Sequence, residues 1–200
     1  MKWLPLLDQY DDLANLQQHC LQCHRCSLRD NARGVVFGDG APDARLMFVG
    51  EAPGVDEDRL GKPFVGAAGQ LLEKIMESVG LQRSDVYITN IAKCRPPGNR
   101  IPKKDEAEAC FVYLVRQIEL IQPRLIVCLG ALSTQYLVHN DAKITVVRGN
   151  VYEKGGIKIV PTFHPAAILR DANKKKPVWE DFKKIKELYD QVSTSKNEPQ

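Results

Sequence analysis

Leu46 to Phe64, LMFVGEAPGVDEDRLGKPF, is the stretch from which the fold is read. Its first four residues, Leu46-Met47-Phe48-Val49, are a short bulky apolar run, as a strand buried on both faces of a parallel sheet requires. The run breaks at once into Gly50-Glu51-Ala52-Pro53-Gly54, a tight loop whose glycines let backbone groups approach a ligand closely. Acids follow at Asp56, Glu57 and Asp58, then an aromatic at Phe64. A loop at the carboxyl end of a buried parallel strand is where open α/β folds place their ligands.

Downstream, Leu71, Leu72, Ile75, Met76 and Val79 recur at helical spacing and predict a helix over 66–79, with Gly80 as its stop. Val86 to Thr89 reads as a second strand. A longer helix over 103–122 carries Cys110, Leu114, Ile118 and Ile121 on one face and ends at Pro123. Leu125 to Leu129 is a third strand, followed by a short helix over 131–138. A turn at Gly155-Gly156 leads into a fourth strand, Ile157 to Val160, and a helix over 178–192 closes the chain. Upstream, residues 8–22 fit an amphipathic helix lying as a lid, 33–38 a brief extended segment and 39–43 a turn. The expected fold class is α/β: a three-layer αβα arrangement with a mainly parallel central sheet of about four strands and helices on both faces. Residues 1–192 are expected to form one domain, and the polar segment 193–200 a disordered tail.

Parallel strands share a carboxyl edge, so the loops after Val49, Thr89, Leu129 and Val160 open together. That brings Glu51, Ala52, Glu57, Phe64, Asn90 and His164 within reach of one cleft. An aromatic, an amide and an imidazole around a backbone-rich loop suit a flat heterocycle: the ring stacks, the amide reads a donor and acceptor edge, and the imidazole meets developing negative charge. Gly66-Ala67-Ala68-Gly69 precedes a helix but lacks the Gly-Lys-Ser/Thr ending of a phosphate loop, so helix packing is the better reading.

The chain has 200 residues, 44% of them hydrophobic, enough to bury a sizeable core. A net charge of +3 permits a polyanionic partner without requiring one. No apolar run approaches the roughly 20 residues of a membrane span, and Met1 to Leu7 is too short and mixed for a signal peptide. A soluble, intracellular, cytoplasmic protein with no membrane partner is expected. Six cysteines in that setting point to metal binding, catalysis or core packing rather than disulfides. Cys20, Cys23 and Cys26 form a C-x2-C-x2-C run, and Cys94 and Cys110 have 15 residues between them. Five candidates are present for the four ligands of a zinc ion or an iron-sulfur cluster, with His19 and His24 keeping a mixed zinc site open. Cys128, inside the apolar strand Ile126-Val127-Cys128-Leu129, reads as core.

Several dispersed motifs, in order, resemble the family 4 uracil-DNA glycosylases, the iron-sulfur branch of their superfamily. They are GEAPG at 50–54, GKPFVGAAGQLL at 61–72, YITNIAKCRPP at 87–97 and HPAAILR at 164–170. The resemblance covers Cys23 to the last helix. It implies that Cys23, Cys26, Cys94 and Cys110 hold a 4Fe-4S cluster, with Cys20 the extra thiol. It implies that Phe64 stacks on a uracil flipped out of DNA, that Asn90 reads the O4 and N3 edge, and that the Ala52 backbone and His164 bind the oxygens. Glu51 belongs to the same uracil-binding loop. Glu57 lies near the C5 edge, where it would crowd a thymine methyl, and Glu57 or Asn99 could position the water that adds to the sugar. Ala52 stands where better-known uracil-DNA glycosylases carry an acid, which favours leaving-group stabilisation over general-base catalysis. The HPAAILR loop would enter the minor groove with Ile168 or Leu169 as the wedge, while Arg170, Lys174 and Lys175 contact DNA. The implied partner is uracil-containing DNA, single- or double-stranded, acted on by a monomer. Two other readings compete. A non-catalytic iron-sulfur or zinc protein, binding nucleic acid or transferring electrons, accounts for the cysteines but leaves Phe64, Asn90 and His164 unexplained. A covalent uracil-DNA binder of the same superfamily carries a histidine loop after the Asn90 strand, and no histidine occurs between Asn90 and Cys110.

Overall fold

The computed structural model describes residue 7 and residues 9–194. Six strands form one sheet: β1 (Asp39–Gly40), β2 (Leu46–Gly50), β3 (Val86–Asn90), β4 (Leu125–Leu129), β5 (Tyr152–Lys154) and β6 (Ile157–Thr162), in the order β1-β3-β2-β4-β6-β5. The inner four strands run parallel, Phe48 lying level with Ile88 on one side and Val127 on the other. The helices in chain order are α1 (Leu13–Leu21), α2 (Leu28–Asn31), α3 (Val55–Leu60), α4 (Ala67–Ser78), α5 (Lys104–Ile121), α6 (Ala131–Leu137), α7 (Ile144–Val147), α8 (Pro165–Arg170) and α9 (Lys175–Thr194).

All five residues of β2, β3 and β4 are buried, which is why they read as continuous apolar runs rather than alternating ones. Successive side chains still point to opposite faces. Leu46 and Phe48 join one core with Leu72 and Met76 of α4 and Val178, Phe182 and Ile185 of α9. Met47 and Val49 join the other with Ala107, Leu114 and Ile121 of α5 and Leu137 of α6. Cys128 lies in that second core, as its sequence context predicts. A third cluster, built from Leu16, Cys20, Leu28, Phe37, Cys94, Cys110 and Tyr113, packs α1 and its following loop against α5.

The sheet has two strands more than the sequence suggests, both antiparallel edges. β1 is two residues inside what reads as a turn, Asp39 opposite Ile88 and Gly40 opposite Tyr87. β5 is only half-buried, and Gly155 and Gly156 are the turn of its hairpin with β6, both at positive φ as a tight two-residue hairpin requires. Residues 33–38 form no strand; Val36 N–H donates to the Lys93 carbonyl at 2.7 Å, so the segment runs beside the loop after β3. The acidic run after Gly54 is helix α3, and Pro165 begins helix α8, where its missing N–H costs no hydrogen bond. Helix α9 continues through Thr194, two residues into the expected tail; residues 195–200 lie outside the described residues. Among the described residues no helix is long and apolar enough to cross a membrane.

Candidate active site and cysteine pocket

The carboxyl ends of β2, β3, β4 and β6 open into a cleft of about 710 Å3, lined by Glu51, Ala52, Glu57, Phe64, Asn90, Asn99 and His164 among others. The predicted uracil-binding residues are thus brought to one place. Asn90 ends β3 with 1% of its surface exposed, and its Oδ1 has no hydrogen-bond partner among the described residues. Gly50, beside it in the sheet, is needed for a reason its loop context does not suggest. A Cβ there would meet Asn90 Oδ1 at 2.4 Å and the Phe64 ring at 2.6 Å, so the missing side chain makes room for these two residues.

Phe64 sits at φ 52, a left-handed conformation that a bulky residue adopts only when its surroundings enforce it. Two side chains do so. Glu57 Oε1 accepts the N–H groups of Val65 and Gly66 at 2.9 and 2.8 Å, while its Oε2 accepts that of Gly54 at 3.1 Å. Arg83 donates to the carbonyls of Pro63 and Phe64 at 2.6 and 3.1 Å and pairs with Asp39. Glu57, expected near the base edge or the attacking water, lines the cleft, and its carboxylate ties the Gly54 loop to the Phe64 loop. Arg83 has no sequence signal, since a lone arginine after a helix looks like surface.

His164 follows β6, its ring centroid 5.5 Å from that of Phe64. Its Nδ1 accepts the Ala166 N–H at 3.1 Å, which leaves Nε2 to carry the ring proton. Burial, reinforced by the charge of Arg170, lowers its pKa to about 4, so the ring is neutral near pH 7. Gly130, at φ 98 after β4, gives it space: a Cβ there would stand 3.1 Å from His164 Cβ. Burial holds the Glu51 carboxyl above the usual range, with Arg170 opposing. Asn99 is exposed at the rim, at φ 56, and its Oδ1 accepts from Arg95 Nε at 2.7 Å.

In the HPAAILR loop the two wedge candidates separate. Ile168 is 4% exposed and belongs to the core beneath α8, so it is no wedge; Leu169 is 56% exposed. Arg170 and Lys175 are exposed, whereas Lys174 is folded back onto Asp171 and lies over the Phe163 ring.

Cys20, Cys23, Cys26, Cys94 and Cys110 line one further pocket, and none is in a disulfide. Among the described residues no three His, Cys, Asp or Glu side chains are drawn together as ligands of a single ion; the thiols stand around a shared hollow. Burial pushes the Cys94 thiol up to about 12 and Cys110 to about 11, so as free thiols both are protonated near neutral pH. The Lys93 main-chain N–H already donates to Cys110 Sγ at 3.2 Å, the kind of bond that stabilises a ligating sulfur. His19 is stacked on Tyr10 at 4.7 Å and His24 is exposed, so neither stands among the residues lining the pocket. Buried Glu106 joins this region to the cleft: it accepts 2.7 Å bonds from both terminal nitrogens of Arg100 and a longer one, 3.3 Å, from the hydroxyl of Ser27, the neighbour of Cys26. Arg100 holds its carboxyl at about 2.

This fold, with an amide, an aromatic and a neutral imidazole at its carboxyl edge, belongs to the uracil DNA glycosylase superfamily, whose family model matches residues 37–183. Within it the chain falls in the type-4 family. It is 48% identical over 187 residues to the type-4 uracil-DNA glycosylase of Sulfurisphaera tokodaii, covering 89% of this chain and 85% of that protein. The type-4 enzyme of Archaeoglobus fulgidus is 45% identical, with 89% and 94% covered, and that of Thermotoga maritima 46% identical, with 82% and 88% covered.

The bracing by Glu57 carries a direct test. Glu57→Ala is expected to speed hydrogen exchange at the Val65 and Gly66 amides and to lower stability in urea by about 1 kcal/mol, the scale of hydrogen bonds lost at half-buried donors. Unchanged protection at both amides would show that the carboxylate does not hold the loop.

Proposed function

We propose that this protein removes uracil from DNA by hydrolysing its N-glycosidic bond, leaving an abasic site for repair. The observation that carries this reading is the buried Asn90 Oδ1 without a partner, set beside the Phe64 ring and the His164 imidazole. An unpaired buried acceptor is costly unless a ligand completes it, and uracil N3–H does so while O4 accepts from the same amide. Cytosine presents the opposite pattern at this edge.

A base inside a duplex cannot reach this cleft, so the nucleotide is flipped out or taken from a single strand. Phe64 then stacks on the ring. As the bond from C1′ to N1 breaks, the electron pair leaves with uracil, and the neutral Nε2–H of His164 and the Ala52 main chain meet the charge at O2. Water adds to C1′, and its proton passes through solvent to the departed uracil anion, giving neutral uracil and the abasic sugar. Ala52 supplies no carboxylate and Glu57 is bound to three amides, so leaving-group stabilisation is the main effect. Asn99 at the rim is the candidate to position the water, and Glu51 completes the uracil loop. Leu169 fills the vacated space in the stack, while Arg170 and Lys175 meet phosphates.

Cys23, Cys26, Cys94 and Cys110 are the proposed ligands of a 4Fe-4S cluster. Bound there, it supplies iron-thiolate bonds joining the loop after α1, the loop after β3, and α5.

The reading is tested by incubating the protein with a uracil-containing oligonucleotide. Free uracil, an alkali-labile site, repeated turnover and no denaturant-resistant protein-DNA adduct are expected; a stoichiometric adduct, or no uracil release, would overturn it. His164→Ala is expected to slow single-turnover excision by roughly 10²- to 10³-fold, the scale of one lost oxyanion donor, with little change in binding to an abasic-site analogue. The histidine pKa falls from 6.5 to about 4, so the donor is neutral above about pH 5 and is protonated only as pH drops through 4. The excision rate should therefore show no histidine limb near pH 6.5; a limb there that disappears in His164→Gln would contradict the assignment. Protein purified without oxygen is expected to be brown, with Cys20→Ser keeping its iron and Cys26→Ser, Cys94→Ser and Cys110→Ser losing it. Iron lost from Cys20→Ser and kept in Cys26→Ser would reverse the ligand choice.

A further inference from the structure

Lys93 is 1% exposed, and it lies one residue before Cys94 and three after Asn90. A buried ammonium is tolerated only when its donors are matched, and each of these has an oxygen. Nζ donates to Thr89 Oγ1 at 2.6 Å, to the Asn90 carbonyl at 2.8 Å and to Gln117 Oε1 at 2.6 Å. Gln117 is held in turn by the Phe37 carbonyl and the Tyr87 hydroxyl, at 3.0 and 3.1 Å. The ammonium therefore closes β3, the Asn90 to Lys93 turn and helix α5 around one point inside the protein.

We propose that Lys93 is a positioning residue for Asn90: by binding the Asn90 carbonyl within the protein, its ammonium fixes the peptide from which the Asn90 amide projects into the cleft. This rests on the reading of Asn90 as the residue that recognises uracil. The placement leaves Asn90 little freedom. Its side chain is confined by Gly50 and Phe64, and its carbonyl by Lys93. Lys93 is itself anchored through its main-chain N–H on Cys110 Sγ and its carbonyl on Val36 N–H. Two hydrogen bonds, Cys110 to Lys93 and Lys93 to Asn90, thus connect the cysteine pocket to the cleft. Uracil makes no contact with Lys93 in this arrangement; the lysine acts through the amide it orients.

A double-mutant comparison separates positioning from general support, using protein whose iron content and visible absorbance match the parent. Lys93→Met is expected to lower single-turnover uracil excision by roughly 10²-fold, the loss that follows a misplacement of about 1 Å, while binding to an abasic-site analogue stays within about threefold. In an Asn90→Ala background the same substitution should cost less than about threefold, because the group it orients is gone. Thr89→Val, close in volume and equal in charge, removes one acceptor and should give an intermediate loss that also vanishes in Asn90→Ala. It carries the test if Lys93→Met does not accumulate as loaded protein. Equal losses in both backgrounds, or no loss from Lys93→Met with iron retained, would overturn the proposal. Full excision by Asn90→Ala would instead overturn the reading of the site on which it rests.

Discussion

Asn90 and Phe64 can share the carboxyl edge of the sheet only because residue 50 has no side chain. A Cβ at Gly50 would press on the Asn90 amide and the Phe64 ring at once, at distances no packed structure permits. The rest of the cleft is arranged around that contact. Parallel pairing puts Gly50 level with Asn90. Glu57 and Arg83 hold Phe64 in a backbone conformation it would not choose alone. Gly130 makes the corresponding space for His164. The groups proposed to recognise the base are therefore held in place by the protein's own packing and hydrogen bonds, as electrostatic stabilisation of a leaving anion requires.

The cysteine pocket stands behind the same edge. Its cysteines come from three segments far apart in sequence, and β3 with the loop that follows it supplies both Asn90 and Cys94. Ala52 packs against the cysteine-bearing cluster and also lines the cleft. Glu106 adds a polar joint between Arg100 at the rim and Ser27 beside Cys26. Whatever stiffens the pocket thus stiffens the floor and rim of the cleft, and no electron step in the excision is needed to give the cysteines a role.

The parallel core was legible because fully buried strands leave apolar runs, and the long helices because their apolar spacing is strong. The edge strands were not, because two or three residues of antiparallel pairing leave no pattern distinct from a turn. Asn90, Phe64 and His164 could be placed together from strand order alone. Their supports could not: Arg83 and Lys93 look like ordinary charges in sequence, Glu57 reads only as a cleft residue, and only tertiary structure shows that each is used on main-chain groups of the site. Ile168 and Leu169 are equivalent as sequence, and helix α8 decides between them by turning one into the core.

The central claim is that the Asn90 amide selects the base through its donor and acceptor pattern. The most direct measurement is the ratio of single-turnover rates of Asn90→Asp on oligonucleotides with uracil or cytosine at one position. The substitution keeps the shape and exchanges a donor for an acceptor, so uracil excision should fall steeply while cytosine excision becomes detectable. A variant that keeps the parent rate on uracil and still ignores cytosine would contradict the account.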